Sequence, residues 1–150
     1  MDTREQANTL VRALGDILGL SLSLDASGAC GLRIDDRLEL SLRLENHPPA
    51  LLAYAQAGAL PATQADAALR RLLAANHVWE GSQGATWSVQ DGQATLAHLL
   101  PLDGLDAAQL ARELARFADV ACAEQERLTK HGDSTPLQNT GYLPPGMLAA

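Results

Sequence analysis

Histidines stand at positions 47, 77, 98 and 131 and cysteines at 30 and 122; these are the residue types that could bind a metal or supply a nucleophile. No two of the histidines are three or four apart on one helix, and neither cysteine has a companion at metal-ligand spacing, so the pattern offers no metal centre. The glycines fall singly at turns and helix ends, which removes a phosphate-cradling loop, and no Gly-x-Ser-x-Gly elbow presents a serine. Asp35 and Asp36 are the densest acidic pair. A tight turn accounts for them better than acid-base work, because neighbours there both face water. His98 could be a base, but it lacks an evident nucleophile or orienting carboxylate and reads as a satisfied strand histidine. The residues therefore imply a chain that is not an enzyme and needs no cofactor. An unfamiliar small-molecule enzyme site, assembled from distant residues on an α+β scaffold, is the remaining catalytic alternative.

What the sequence does carry is aliphatic surface. Of its 150 residues 47% are apolar, only 3% aromatic and 19% charged, so there is apolar material beyond what one small core needs, and a protein partner is the natural cover for it. The net charge of −7 argues against nucleic acid and against an anionic membrane, both of which select basic patches. The N-terminal residues mix charges of both signs into an apolar pattern, unlike a signal peptide. No apolar run approaches the roughly 20 residues of a membrane span. Two unpaired cysteines fit a reducing, cytoplasmic setting.

Hydrophobic periodicity supplies the elements. Residues 4–19 place Ala7, Leu10, Val11, Leu14, Ile17 and Leu18 at helical spacing, with Thr3 and Gln6 positioned as a capping box and Gly19 as the stop. The period then drops to two. Leu20, Leu22 and Leu24, then Cys30, Leu32 and Ile34, then Leu38, Leu40, Leu42 and Leu44 alternate with polar residues, which predicts a three-stranded antiparallel meander with one leucine face, lidded by the first helix. A further strand is expected over residues 51–57. Thr63 is placed to cap a second helix to about Asn76 with an apolar stripe at Ala65, Ala68, Leu69, Leu72 and Leu73. The Asp91-Gly92 pair between two alternating runs predicts a hairpin. Asp106 caps a long third helix through about Lys130, and residues 131–150, rich in Gly, Pro, Ser and Thr, read as a flexible tail to a single domain over 1–130. Trp79 and Trp87, two of five aromatics, suit either packing or an interface. The fold class is α+β: an antiparallel twisted sheet with three helices in the order α-βββ-β-α-ββ-α.

That order, together with Leu72-Leu73-Ala74-Ala75-Asn76, Gly84-Ala85-Thr86-Trp87-Ser88-Val89 and Leu99-Leu100-Pro101-Leu102-Asp103, resembles the class I chaperones of bacterial type III secretion, the CesT/Tir-chaperone family, over about residues 3–130. The resemblance implies a homodimer that binds the N-terminal chaperone-binding segment of an effector and keeps it soluble, partly unfolded and competent for secretion. It would later meet the secretion ATPase and sorting machinery. An alternative on the same fold is a regulatory chaperone that sequesters an anti-activator. The family's two-fold interface maps onto Ala65, Ala68, Leu69, Leu72 and Leu73, with Val78 and Trp87 added. Its effector contacts map near Val11, Leu14, Leu18, Leu22, Leu32, Leu40, Leu51 and Tyr54. A strand lent by the effector to a sheet edge is also implied.

Overall fold

A computed structural model describes residues 2–132. Helix α1 spans Thr3–Leu18 and is followed by strands β1 (Ala29–Ile34), β2 (Leu38–Asn46) and β3 (Pro49–Ala59). Helix α2 (Ala65–Asn76) passes through a single 3-10 turn, His77–Trp79, to the hairpin β4 (Thr86–Gln90) and β5 (Gln93–Pro101), and α3 (Ala107–Gly132) ends the described chain. The five strands form one antiparallel sheet in the order β1-β2-β3-β5-β4. α1 and α3 pack together, and α3 lies against β3 and β2.

The alternation read from the sequence decides which face they cover. Leu32, Leu38, Leu40, Leu42, Leu51, Ala53, Ala55 and Leu96 are all buried, and they join Ala7, Val11 and Leu14 of α1 with Leu110, Phe117 and Ala121 of α3 in one core. Across the ladder the large residues of β2 meet small ones of β3, Leu40 opposite Ala55 and Leu42 opposite Ala53. Alanines beneath α3 let that helix approach the sheet, and this is how a core with few rings reaches close packing.

The turns follow their chemistry. Asp35 and Asp36 take φ of 51° and 53°, and Asp91 and Gly92 take 51° and 76°, the left-handed pair that matches the right-handed twist of hairpin strands. Gly15 is required for a different reason: a Cβ there would lie 2.5 Å from the Leu20 carbonyl oxygen, where the chain doubles back after α1.

Several sequence expectations need correction. Residues 20–24 form no strand: they run extended beside α1, the Leu24 N–H donating to Asn8 Oδ1 at 2.9 Å. Leu22 and Leu24 are buried while Leu20 is largely exposed, so a chain lying on a helix shows the same alternate burial as a strand without any ladder. The sheet consequently has one strand fewer than expected. α1 is capped by Asp2, whose carboxylate accepts from the Glu5 N–H at 2.7 Å, not by Thr3. α2 begins after Gln64 with no side-chain cap, so Thr63 does not serve it. Asp106 does cap α3, accepting from Gln109 N–H at 2.7 Å. That helix reaches Gly132, two residues into the expected tail; residues 133–150 lie outside the described residues.

Candidate functional site

Among the described residues most of the exposed large apolar side chains gather in two places, with Val89 on β4 and Leu99 on β5 standing apart from them. Ile17, Leu18 and Leu20 surround the C-terminal end of α1, with Leu18 45% exposed. Leu73, Val78 and Trp79, respectively 67%, 66% and 56% exposed, mark the end of α2 and the 3-10 turn. The backbone at the second place is held in an unfavourable form. Val78 has φ of 48° and Trp79 of 56°, a region costly for a β-branched or bulky residue, and such strain persists only where neighbouring structure enforces it. The enforcing contacts are visible. Trp79 Nε1 donates to Thr86 Oγ1 at 3.2 Å, and the Asn76 carboxamide grips β4 from both sides: Nδ2 donates to the Trp87 carbonyl at 2.9 Å and Oδ1 accepts from the Trp87 N–H at 2.7 Å.

α2 is fastened to α3 by charge. The Glu124 carboxylate, 2% exposed, accepts from Arg71 Nε at 3.1 Å and Nη2 at 2.5 Å, with Arg127 Nη1 at 3.5 Å. The paired carboxylate holds the Arg71 guanidinium above its ordinary pKa, chiefly through these hydrogen bonds.

Against this frame of side chains, the sequence-derived contact residues divide sharply. Val11, Leu14, Leu22, Leu32, Leu40 and Leu51 are buried in the protomer's core. A leucine face must be covered for the sheet to fold at all, and α1 and α3 cover it. Leu18 is exposed and Tyr54 half-buried on the sheet's other face. Of the interface set, Ala68, Leu72 and Trp87 are also buried in the protomer, where α2 packs against β4. Ala65 and Leu69 are half-buried, and Leu73 and Val78 are open. Sequence reasoning missed Ile17, Leu20 and Trp79 as members of the exposed groups. Ile17 belongs to the α1 apolar stripe and is nonetheless exposed in the last turn of that helix.

The chemically capable groups are spread apart. Among the described residues no three of His, Cys, Asp and Glu are grouped to hold a metal ion. Burial pushes the Cys30 and Cys122 thiols up, which suppresses the thiolate a nucleophile needs. His98 lies on β5 opposite Ala53, against Gly84. Desolvation lowers its pKa from 6.5, with the Glu113 charge opposing. Folding thus favours the neutral imidazole: the stabilisation is fully present above about pH 6.5 and is lost as pH falls below that value toward the lower folded one. Urea denaturation at about pH 7.5 and about pH 5.5 should show lower stability at the acid end, and His98→Gln should reduce that difference. An unchanged difference in the variant would assign it to other groups.

The arrangement of a half-covered sheet, two flanking helices and a third helix pinned at one edge can be compared with known proteins. The model of the Tir chaperone protein (CesT) family matches residues 9–125. The chain belongs to the Tir chaperone protein (CesT) family. Solved structures agree with the CesT-family fold. The ExsC–ExsE complex matches with a TM-score of 0.74 at 24% identity, covering 85% of this chain and 97% of the other. The HopA1–SchA chaperone–effector complex matches with a TM-score of 0.71 at 19% identity, covering 84% and 98%. The Yersinia pestis type III secretion chaperone SycH, in complex with a stable fragment of YscM2, matches with a TM-score of 0.64 at 23% identity, covering 78% and 98%. No curated protein sequence matches significantly. No helix among the described residues of this CesT-family chain is long and apolar enough to cross a membrane.

Proposed function

We propose that this CesT-family chain is a cytoplasmic type III secretion chaperone that acts as a homodimer and holds the N-terminal segment of an effector extended and soluble. The observation that carries the reading is the pair of separate exposed apolar groups on a chain of net charge −7. Leu73, Val78 and Trp79, with the half-buried Ala65 and Leu69, form a compact patch suited to a two-fold, self-complementary contact. Ile17, Leu18 and Leu20 at the end of α1, with Tyr54 on the open sheet face, are then free for client side chains. The acidic surface keeps the assembly soluble while those residues are uncovered. Nothing in this scheme requires a covalent step or a bound cofactor. Transfer of the client to the secretion ATPase and sorting machinery belongs to a later encounter.

The test is to express the chain with the secreted proteins of its own host's type III system and to analyse the purified complexes by sedimentation. The expected complex holds two copies of the chain and one client. Leu73→Asp with Val78→Asp should give a folded monomer, since aspartate tolerates the left-handed backbone at 78 better than valine does. Leu18→Ser should keep the dimer and lose client. A monomeric wild-type chain, or a client retained equally by the Leu18 variant, would sink the reading.

A further inference from the structure

The outer edge of β4 is closed by the chain that leads into it. An edge strand turns the backbone groups of every second residue away from its ladder. Trp87 is such a residue, since its N–H and its carbonyl are both bonded by the Asn76 carboxamide. That side-chain amide does for Trp87 what the peptide group of a neighbouring strand would do, giving one bond and taking one. Two residues earlier, Ala85 is met in the same way: its N–H donates to the Ser82 carbonyl at 3.2 Å and its carbonyl accepts from the Ser82 hydroxyl. Between the two, the Trp79 indole reaches the Thr86 hydroxyl. Residues 76–82 thus occupy two successive outward positions, and Val89, the third, receives no bond from them.

Little besides these bonds holds the segment in place. Within 76–82 only Ser82 is buried. Gly81 is folded tightly back on the end of α2, where a Cβ would lie 3.0 Å from the Ala75 Cα. The backbone is left-handed at Val78 and Trp79, and again just beyond the segment at Gln83 and Gly84, with φ of 54° and 93°. The Val78 side chain is open to solvent and gains no packing in return for its conformation. A segment with few buried contacts and stored backbone strain belongs at the low-stability end of a fold. Its release lets Val78 and Trp79 return to right-handed or extended backbone.

We propose that residues 76–82 are a strained lid on the β4 edge. Closed, the lid denies the outward backbone groups of Ala85 and Trp87 to any other chain. It opens by local unfolding ahead of the sheet, and the edge is adhesive only while it is open. The lid is a property of one protomer and does not depend on the chaperone reading.

Amide hydrogen exchange on the full chain tests this, in a Leu73→Asp background so that no second copy seated on the neighbouring patch screens the lid. Leu73 is largely exposed, and the core is untouched. The Trp87 and Ala85 amides should exchange at least about a hundredfold faster than the Leu96 amide, which faces β3 in the central ladder. Val78→Asn should slow both by at least about threefold and leave Leu96 unchanged, because asparagine accepts the left-handed backbone that valine resists. Neither amide loses a bond in that variant, so the slowing reads the strain alone. Asn76→Ala should uncover Trp87, and sedimentation should show association rising over about a tenfold range of concentration in which the Leu73→Asp parent does not change. Trp87 and Ala85 amides as slow as Leu96, rates unchanged or faster in Val78→Asn, or an Asn76→Ala chain that keeps its parent's assembly state would each overturn the proposal.

Discussion

Leu40→Ala should destabilise the protein by about 2–5 kcal/mol, whereas Leu18→Ser should stay within about 0.5 kcal/mol of the wild type. Both leucines were candidates for client contact on the sequence alone, and their burial separates them. Leu40 is fully buried in the centre of the sheet, opposite Ala55 on one side and Leu32 on the other. Removing its branched end leaves a cavity between β2 and the helices, which the neighbouring alanine is too short to fill. Leu18 is on the last turn of α1 and leaves no void. Chemical denaturation of the two variants measures the contrast. Similar values for both would mean that Leu40 is not the core residue the packing makes it.

Arg71→Met should cost about 3 kcal/mol, more than Glu124→Gln, although both break the same ion pair. The asymmetry comes from what is left behind. Without Arg71, the Glu124 carboxylate remains buried, held by Arg127 alone at 3.5 Å. Without the carboxylate charge, the Arg71 side chain, 30% exposed, can turn to water. Replacing both residues with apolar ones of similar size, Arg71→Met with Glu124→Leu, should recover at least half the loss, because no ion then stays buried. The order of the three variants in a thermal melt checks this, and a double variant no better than Arg71→Met would refute it. Since α2 carries the exposed patch at Leu73, loosening the α2–α3 tie should also weaken any two-fold contact built there.

The sequence was most informative where local chemistry and global packing demand the same thing. Asp35-Asp36 and Asp91-Gly92 make turns wherever they stand between alternating runs. The stripes of α1 and α3 face a core because nothing else pays their desolvation. Residues 20–24 misled because burial with period two has more than one cause. Here the backbone bonds a helix side chain, Asn8, that lies sixteen residues away. The exposed leucines were illegible for a related reason. A groove and a core are lined by the same residue types, and only the position of α1 and α3 over the sheet separates Leu40 from Leu18. The grip of Asn76 on Trp87 was likewise hidden, since an asparagine ending a helix is common and its partner is eleven residues on.

The two edge strands of the sheet also differ from a free edge in how copies of the chain could join through their backbones. Trp87 of β4 is closed to a further strand by the Asn76 carboxamide, and Ala29 of β1 is closed by Asp25. Head-to-tail growth into a filament needs two different open edges, one to give and one to receive, and among the described residues each edge strand has a position already taken.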